Sequence, residues 1–149
     1  MAEQEQLDAR DTPLEWEMPE IIKNRNITPS IERIAEIARL EPDWDSYRAA
    51  PPADAAVDGA YELLLVLNRV YGPSLKAGIQ PRHIAPLGDG GIQLEWKGTQ
   101  SELEVQISPS GTFGYLLTQT RGNERSFEEA DEVPLSKITQ LIGDVVRHN

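Results

Sequence analysis

Cysteine is absent from the 149-residue chain. Disulfides, zinc–thiolate centres, iron–sulfur ligation and thiol nucleophiles are therefore excluded, whatever the compartment. Long apolar runs are missing too. The longest, Leu63 to Leu67, is far short of the roughly 20 residues a membrane span requires. Met1 is followed by Ala2-Glu3-Gln4-Glu5-Gln6, not by a basic segment and an apolar core, so no ordinary signal peptide is expected and the expected location is cytoplasmic. Histidine is confined to His83 and His148, which have no metal-ligand spacing, and neither H-x-E, H-E-x-x-H, an EF-hand pattern nor G-x-S-x-G occurs. No catalytic residue, metal or cofactor is expected on these grounds.

Positive charge is scarce: 14 Lys and Arg stand against 25 Asp and Glu, for a net charge of −11. The excess is local. Residues 1–20 carry seven acids against Arg10, and residues 124–132 carry five (Glu124, Glu128, Glu129, Asp131, Glu132) against Arg125, leaving a net −1 for the remainder. A nucleic-acid binder needs a basic face to neutralise phosphates, and none is evident, so the expected partner is a protein with a basic surface. An acidic tail and an acidic loop also keep a small protein soluble without further function.

The length suits one domain with one core. Residues 1–20 are expected to form an acidic, flexible arm in which Leu14, Trp16 and Met18 alternate with Glu15 and Glu17; docking on a partner and docking on the chain itself are equally open. Residues 21–149 are expected to form a single α+β domain. Thr28-Pro29 reads as an N-cap with proline in the first turn. Helices are predicted over about 29–40, 54–71 and 134–147, with apolar stripes Ile31, Ile34, Ala35, Ala38; Val57, Ala60, Tyr61, Leu64, Leu67, Tyr71; and Leu135, Ile138, Ile142, Val145, Val146,.

Between about 82 and 129 the period falls from 3.6 to 2, which predicts an antiparallel meander of three to five strands with helices on one face. Ile92, Leu94 and Trp96 alternate with polar residues, as do Leu103, Val105 and Ile107, and then Phe113, Tyr115 and Leu117. Gly88-Asp89-Gly90-Gly91 lies between strands and opens no helix, so it reads as a turn and not a phosphate cradle. Ser126 to Glu129 is expected as a short, charged edge strand.

Placing Trp96 opposite Leu103 aligns Leu94 with Val105 and Ile92 with Ile107, and a slip by one residue would turn every side chain over. On the other face this register opposes Glu95 to Glu104, a like-charge pair that costs up to roughly 1 kcal/mol. The pair either receives a cation or basic side chain, acts as paired acid and base, or is simply screened by water and salt. Trp44 and Tyr47 sit in a proline-bounded connection between helices and read either as core plugs or as interface anchors.

Two segments, Trp44-Asp45-Ser46-Tyr47-Arg48-Ala49-Ala50-Pro51-Pro52 and Asp89-Gly90-Gly91-Ile92-Gln93-Leu94-Glu95-Trp96, resemble a loosely described group of small bacterial proteins that carry W-D-x-Y-x-A-x-P-P before a helix and D-G-G-x-x-L-E-W in a strand. The similarity spans roughly residues 40–118. It implies a shared fold and a bacterial cytoplasmic origin, assigns no catalytic residue, and leans towards an inhibitor or an antitoxin- or immunity-like protein.

The function expected from these features is non-catalytic binding of a basic protein surface through Leu14, Trp16 and Met18, through Glu95 and Glu104, or through Glu128, Glu129, Asp131 and Glu132. The alternatives are a small enzyme or cation binder using Glu95 and Glu104, and a structural subunit of a bacterial assembly. Neither direct nucleic-acid nor membrane binding is expected, and nothing points to a particular oligomeric state.

Overall fold

A computed structural model describes residues 27–72 and 79–147. Three helices, α1 (Thr28–Ala38), α2 (Asp54–Tyr71) and α3 (Leu135–Arg147), pack on a five-stranded sheet of β1 (His83–Pro86), β2 (Ile92–Lys97), β3 (Ser101–Ile107), β4 (Phe113–Arg121) and β5 (Glu124–Val133). The strands are antiparallel and follow one another in the order β1-β2-β3-β4-β5. No helix among the described residues is long and apolar enough to cross a membrane.

The register of β2 with β3 follows from the apolar alternation: Ile92 pairs with Ile107, Leu94 with Val105 and Trp96 with Leu103. Leu117 and Tyr115 of β4 extend the same face, and all of these side chains are buried. The helices seal that face with Ile34 and Ile37 of α1, Leu63, Leu64 and Leu67 of α2, and Ile138, Ile142 and Val145 of α3. Burying a leucine- or isoleucine-sized side chain contributes about 1.5–3 kcal/mol, so the packed face supplies most of the drive to fold.

Close packing imposes one glycine and one aromatic. A Cβ at Gly143 of α3 would run into the ring and hydroxyl of Tyr71 at the end of α2, and that hydroxyl donates to the Thr139 carbonyl at 3.0 Å. Trp96, 2% exposed, is the largest of the fully buried side chains, and its indole Nε1 donates to the Ile79 carbonyl at 2.9 Å. That bond ties the segment before β1 to the centre of the sheet.

Three local expectations are corrected. The N-cap of α1 is Ile27, whose side chain cannot accept a hydrogen bond, and Thr28 is already helical; a buried Ile27 fixes the helix start by packing where the sequence suggested a hydroxyl cap. The buried stripe of α1 is Ser30, Ile34 and Ile37, turned away from Ala35 and Ala38. The acidic stretch is not a loop with a four-residue strand: β5 runs ten residues, Glu124–Val133, because pairing with the long β4 holds it extended from Arg121↔Glu124 onward.

Replacing Trp96 by alanine is expected to lower stability by about 3–5 kcal/mol. Replacing it by phenylalanine keeps most of the apolar contact but strands the Ile79 carbonyl, a loss of about 1–3 kcal/mol. Urea denaturation followed by circular dichroism reads both; a phenylalanine variant as stable as the parent would show that the hydrogen bond does not matter.

Candidate functional site

The face of the sheet away from the helices has no covering layer among the described residues. Strand alternation sets its composition. One row across the sheet runs His83, Glu95, Glu104, Leu116 and Glu129. Beside it run Lys97, Glu102, Thr118 and Phe127 on one side, and Ala85, Gln93, Gln106 and Gly114 on the other. A shallow depression between Arg82, Glu95, Lys97, Glu104, Leu116 and Thr118 marks its centre.

Glu95 stands directly opposite Glu104, as the register requires. The repulsion is offset locally: the Gln93 side-chain amide donates to Glu104 Oε1 at 3.3 Å and lies 3.4 Å from Glu95 Oε2. Gln106 in turn donates to Gln93 Oε1 at 3.3 Å. One neutral amide thus bridges both carboxylates without supplying a counter-charge. Lys97 pairs with Glu102 at 3.5 Å in an exposed contact, the kind worth about 0–1 kcal/mol. Among the described residues no group of three or more acidic or histidine side chains converges as metal ligands.

β5 distributes the other acidic residues. Glu129 belongs to the open face through its pairing with Leu116. Glu128 lies on the helix side, opposite Leu117, where it accepts the Tyr115 hydroxyl at 2.5 Å. That hydrogen bond, with burial and the carboxylate's own charge, holds the Tyr115 hydroxyl above the usual tyrosine value of 10.0. Between Phe113 and Tyr115 the pairing slips. Asp131 and Glu132 oppose the single residue Gly114, so β5 bulges there; Glu132 takes φ +53°, and a Cβ on Gly114 would meet Asp131 Oδ1 at 2.8 Å. These four of the five β5 acids therefore do not form one patch: Glu129 and Asp131 join Glu95 and Glu104, Glu128 supports the edge of the core, and Glu132 turns the chain.

The two segments that carry the family resemblance meet in space. The backbone N–H groups of Ala50 and Ala53 donate to the carbonyls of Gly88 and Gly90 at 2.8 and 2.9 Å, clamping the connection before α2 to the turn before β2. Gly90 sits at φ +98°, and a Cβ there would come within 3.2 Å of the Pro51 carbonyl oxygen, a place only glycine fills without strain. Within the connection, Asp45 Oδ1 accepts the N–H groups of Tyr47 and Ala49, and Asp43 Oδ1 accepts that of Arg48. The Trp44 indole donates to the Ala50 carbonyl at 2.8 Å. Trp44, half-buried, therefore braces the connection. Tyr47 is 86% exposed and is not core, so of its two readings only the anchor stays open. Its neighbours explain why: Asp43, Ser46 and Arg48 all have positive φ, between 65° and 67°, and this path carries residues 46–48 out into water. The Asp89 carboxylate accepts the Gly91 N–H at 2.8 Å, so the glycine-rich segment is the expected turn.

Leu14, Trp16 and Met18 lie outside the described residues. Sequence reasoning missed Phe127, 64% exposed, with the Arg125 guanidinium 5.8 Å from its ring centre. It also missed Leu116, the apolar member of the central row. Phe127 had a signal, an apolar residue whose period-2 neighbours Arg125 and Glu129 are charged, and Leu116 a weaker one between Gly114 and Thr118.

Two outcomes are expected here. Ser46→Gly and Arg48→Gly should each raise stability, by up to about 1 kcal/mol, because a left-handed L-residue costs about 1–2 kcal/mol and glycine returns part of that gain as chain entropy; thermal denaturation checks it, and a loss at both positions would contradict the backbone path. Above pH 10, the unfolded chain gives up the Tyr115 proton before the folded chain does. Stability then falls as pH rises, and Tyr115→Phe should flatten that alkaline limb in denaturant titrations at pH 9–11.

Comparison of the chain with protein-family models, with curated proteins and with solved structures gave no match. The functional reading rests on the geometry.

Proposed function

We propose that the chain is a non-catalytic binding module that engages a basic protein surface through the open face of its sheet. The observation that carries this reading is the composition of that face. Glu95, Glu102, Glu104, Glu129 and Asp131 stand on it against Lys97 and Arg125, with Arg82 at the rim of the central depression, and the apolar side chains of Leu116 and Phe127 lie among them. Carboxylates fixed on strands steer a cationic surface into place, while the apolar residues give it something to bury against. Gln93 supports the same reading: it keeps the Glu95 and Glu104 side chains together as hydrogen-bond acceptors, ready for a lysine or arginine. An inhibitor or an antitoxin- or immunity-like protein that masks the cationic face of an enzyme is the form of this function favoured by the sequence resemblance, and the acidic arm of residues 1–20 would add to the attraction.

The test is capture from a lysate of the native host with the immobilised full-length chain, at low and at high salt. It is run beside the Glu95→Lys/Glu104→Lys variant and a version lacking residues 1–20. The expected result is one basic protein in stoichiometric amount, released at high salt, whose affinity falls at least tenfold on charge reversal, equivalent to about 1.4 kcal/mol. Capture that neither salt nor the reversal weakens would overturn the reading.

A further inference from the structure

The sheet has two edges, and they differ. At β1 the strand ends on Pro86, which has no N–H to offer, and the Ile84 carbonyl accepts the Arg33 guanidinium Nε at 3.2 Å from α1. That edge is blunted. The β5 edge is longer, contains neither proline nor lysine, and among the described residues pairs only with β4. From Glu124 to Ala130 it runs without a bulge against Arg121 to Tyr115. In a lone antiparallel partner of this kind, alternate residues turn their N–H and C=O groups outward, where another strand can take them. A strand kept only to repel neighbours would be charged throughout. This one places an exposed phenylalanine, Phe127, at its midpoint.

We propose that β5 pairs with β5 of a second copy of this chain, antiparallel about a two-fold axis through Phe127, joining the two sheets into one of ten strands. Self-complementarity carries the proposal. A two-fold axis perpendicular to a continuous sheet keeps every residue on its own face, so paired residues share a parity and the axis must pass through a residue position. Centring on Arg125, Glu128 or Glu129 places each of these against its own copy. Centring on Ser126 opposes Glu124 to Glu128. Centring on Phe127 opposes no like charges at all: the two Phe127 rings face each other, Arg125 meets Glu129 twice, Ser126 meets Glu128, and Glu124 meets Ala130. Like-charge pairs directly across a ladder are destabilising and opposite pairs favourable, and aromatic pairs add about 0.5–1.5 kcal/mol beyond their burial, so the sequence of this edge selects a single register. Arg125 already lies over Phe127 within one chain, where it is placed to reach across to Glu129. The bulge at Asp131 and Glu132 ends the contact, and the blunted β1 edge stops a third copy from adding. The assembly closes at two chains.

Sedimentation equilibrium of the full chain over a range of concentrations at about 0.15 M salt, where exposed charges beyond about 8 Å are screened, tests this. The expected result is a monomer–dimer equilibrium. Arg125→Glu or Glu129→Arg alone should weaken it at least tenfold, and the double variant Arg125→Glu/Glu129→Arg should restore it to within a few-fold, since exchanging the two charges preserves each cross-pair. Circular dichroism confirms that the variants fold; all changes are at exposed positions. A monomer at every concentration, a dimer indifferent to both single changes, or a double variant as weak as the singles would each overturn the proposal. Glu95→Lys/Glu104→Lys should leave the dimer intact, which separates this outcome from that of the binding reading.

Discussion

The pairing of Ile92, Leu94 and Trp96 with Ile107, Val105 and Leu103 is the constraint on which the rest of the molecule depends. Side chains alternate with a period of two along a strand, so a slip of one residue would bring Glu95 and Glu104 into the core and send Trp96 into water. No helix packing could survive that exchange. The same register that buries the tryptophan therefore fixes two carboxylates side by side on the opposite surface. Their juxtaposition is a consequence of the core, and the Gln93 amide makes it tolerable.

The two faces divide the work. On the covered face, three helices and the indole hydrogen bond to Ile79 hold the strands in order. On the open face, the charges sit on strands hydrogen-bonded to their neighbours, with side chains that differ from row to row and little apolar area beyond Leu116 and Phe127. The conspicuous tryptophan-aspartate segment belongs to the first task. Its carboxylates and indole are spent on backbone groups of the connection itself, and its contacts with the turn at Gly88 and Gly90 lock the start of α2 to the start of β2. What it presents outward is Tyr47, on a path that three residues hold with left-handed backbone.

Much of this was legible in the sequence, and the parts that were not share a cause. Period-2 alternation located β2, β3 and β4 and the register of β2 with β3, because one face of each strand is apolar and the other polar. The helices were visible from their apolar stripes, although the buried side of α1 was misplaced by one position: Ile27 and Ile37 outweigh two alanines in buried area. The extent of β5 was hidden because an edge strand with nearly every side chain exposed has no apolar alternation to show. Its existence is set by the hydrogen-bonding groups of β4, which the side chains do not encode. The positive φ values at Ser46 and Arg48 were equally invisible, since glycine is the residue that announces such backbone. On the open face the opposed glutamates were readable from register alone; the bridging role of Gln93 depends on a rotamer.

The claim at the centre of this account is that the uncovered, acidic face of the sheet is where the chain meets its partner. Amide chemical-shift mapping of the isotope-labelled full chain, titrated with the basic protein that it captures, addresses that claim most directly. Shifts concentrated in β2, β3 and the Leu116–Thr118 segment of β4, and lost on raising the salt, are the predicted result. Shifts confined to the exposed sides of α1, α2 and α3, with the sheet amides unmoved, would contradict it.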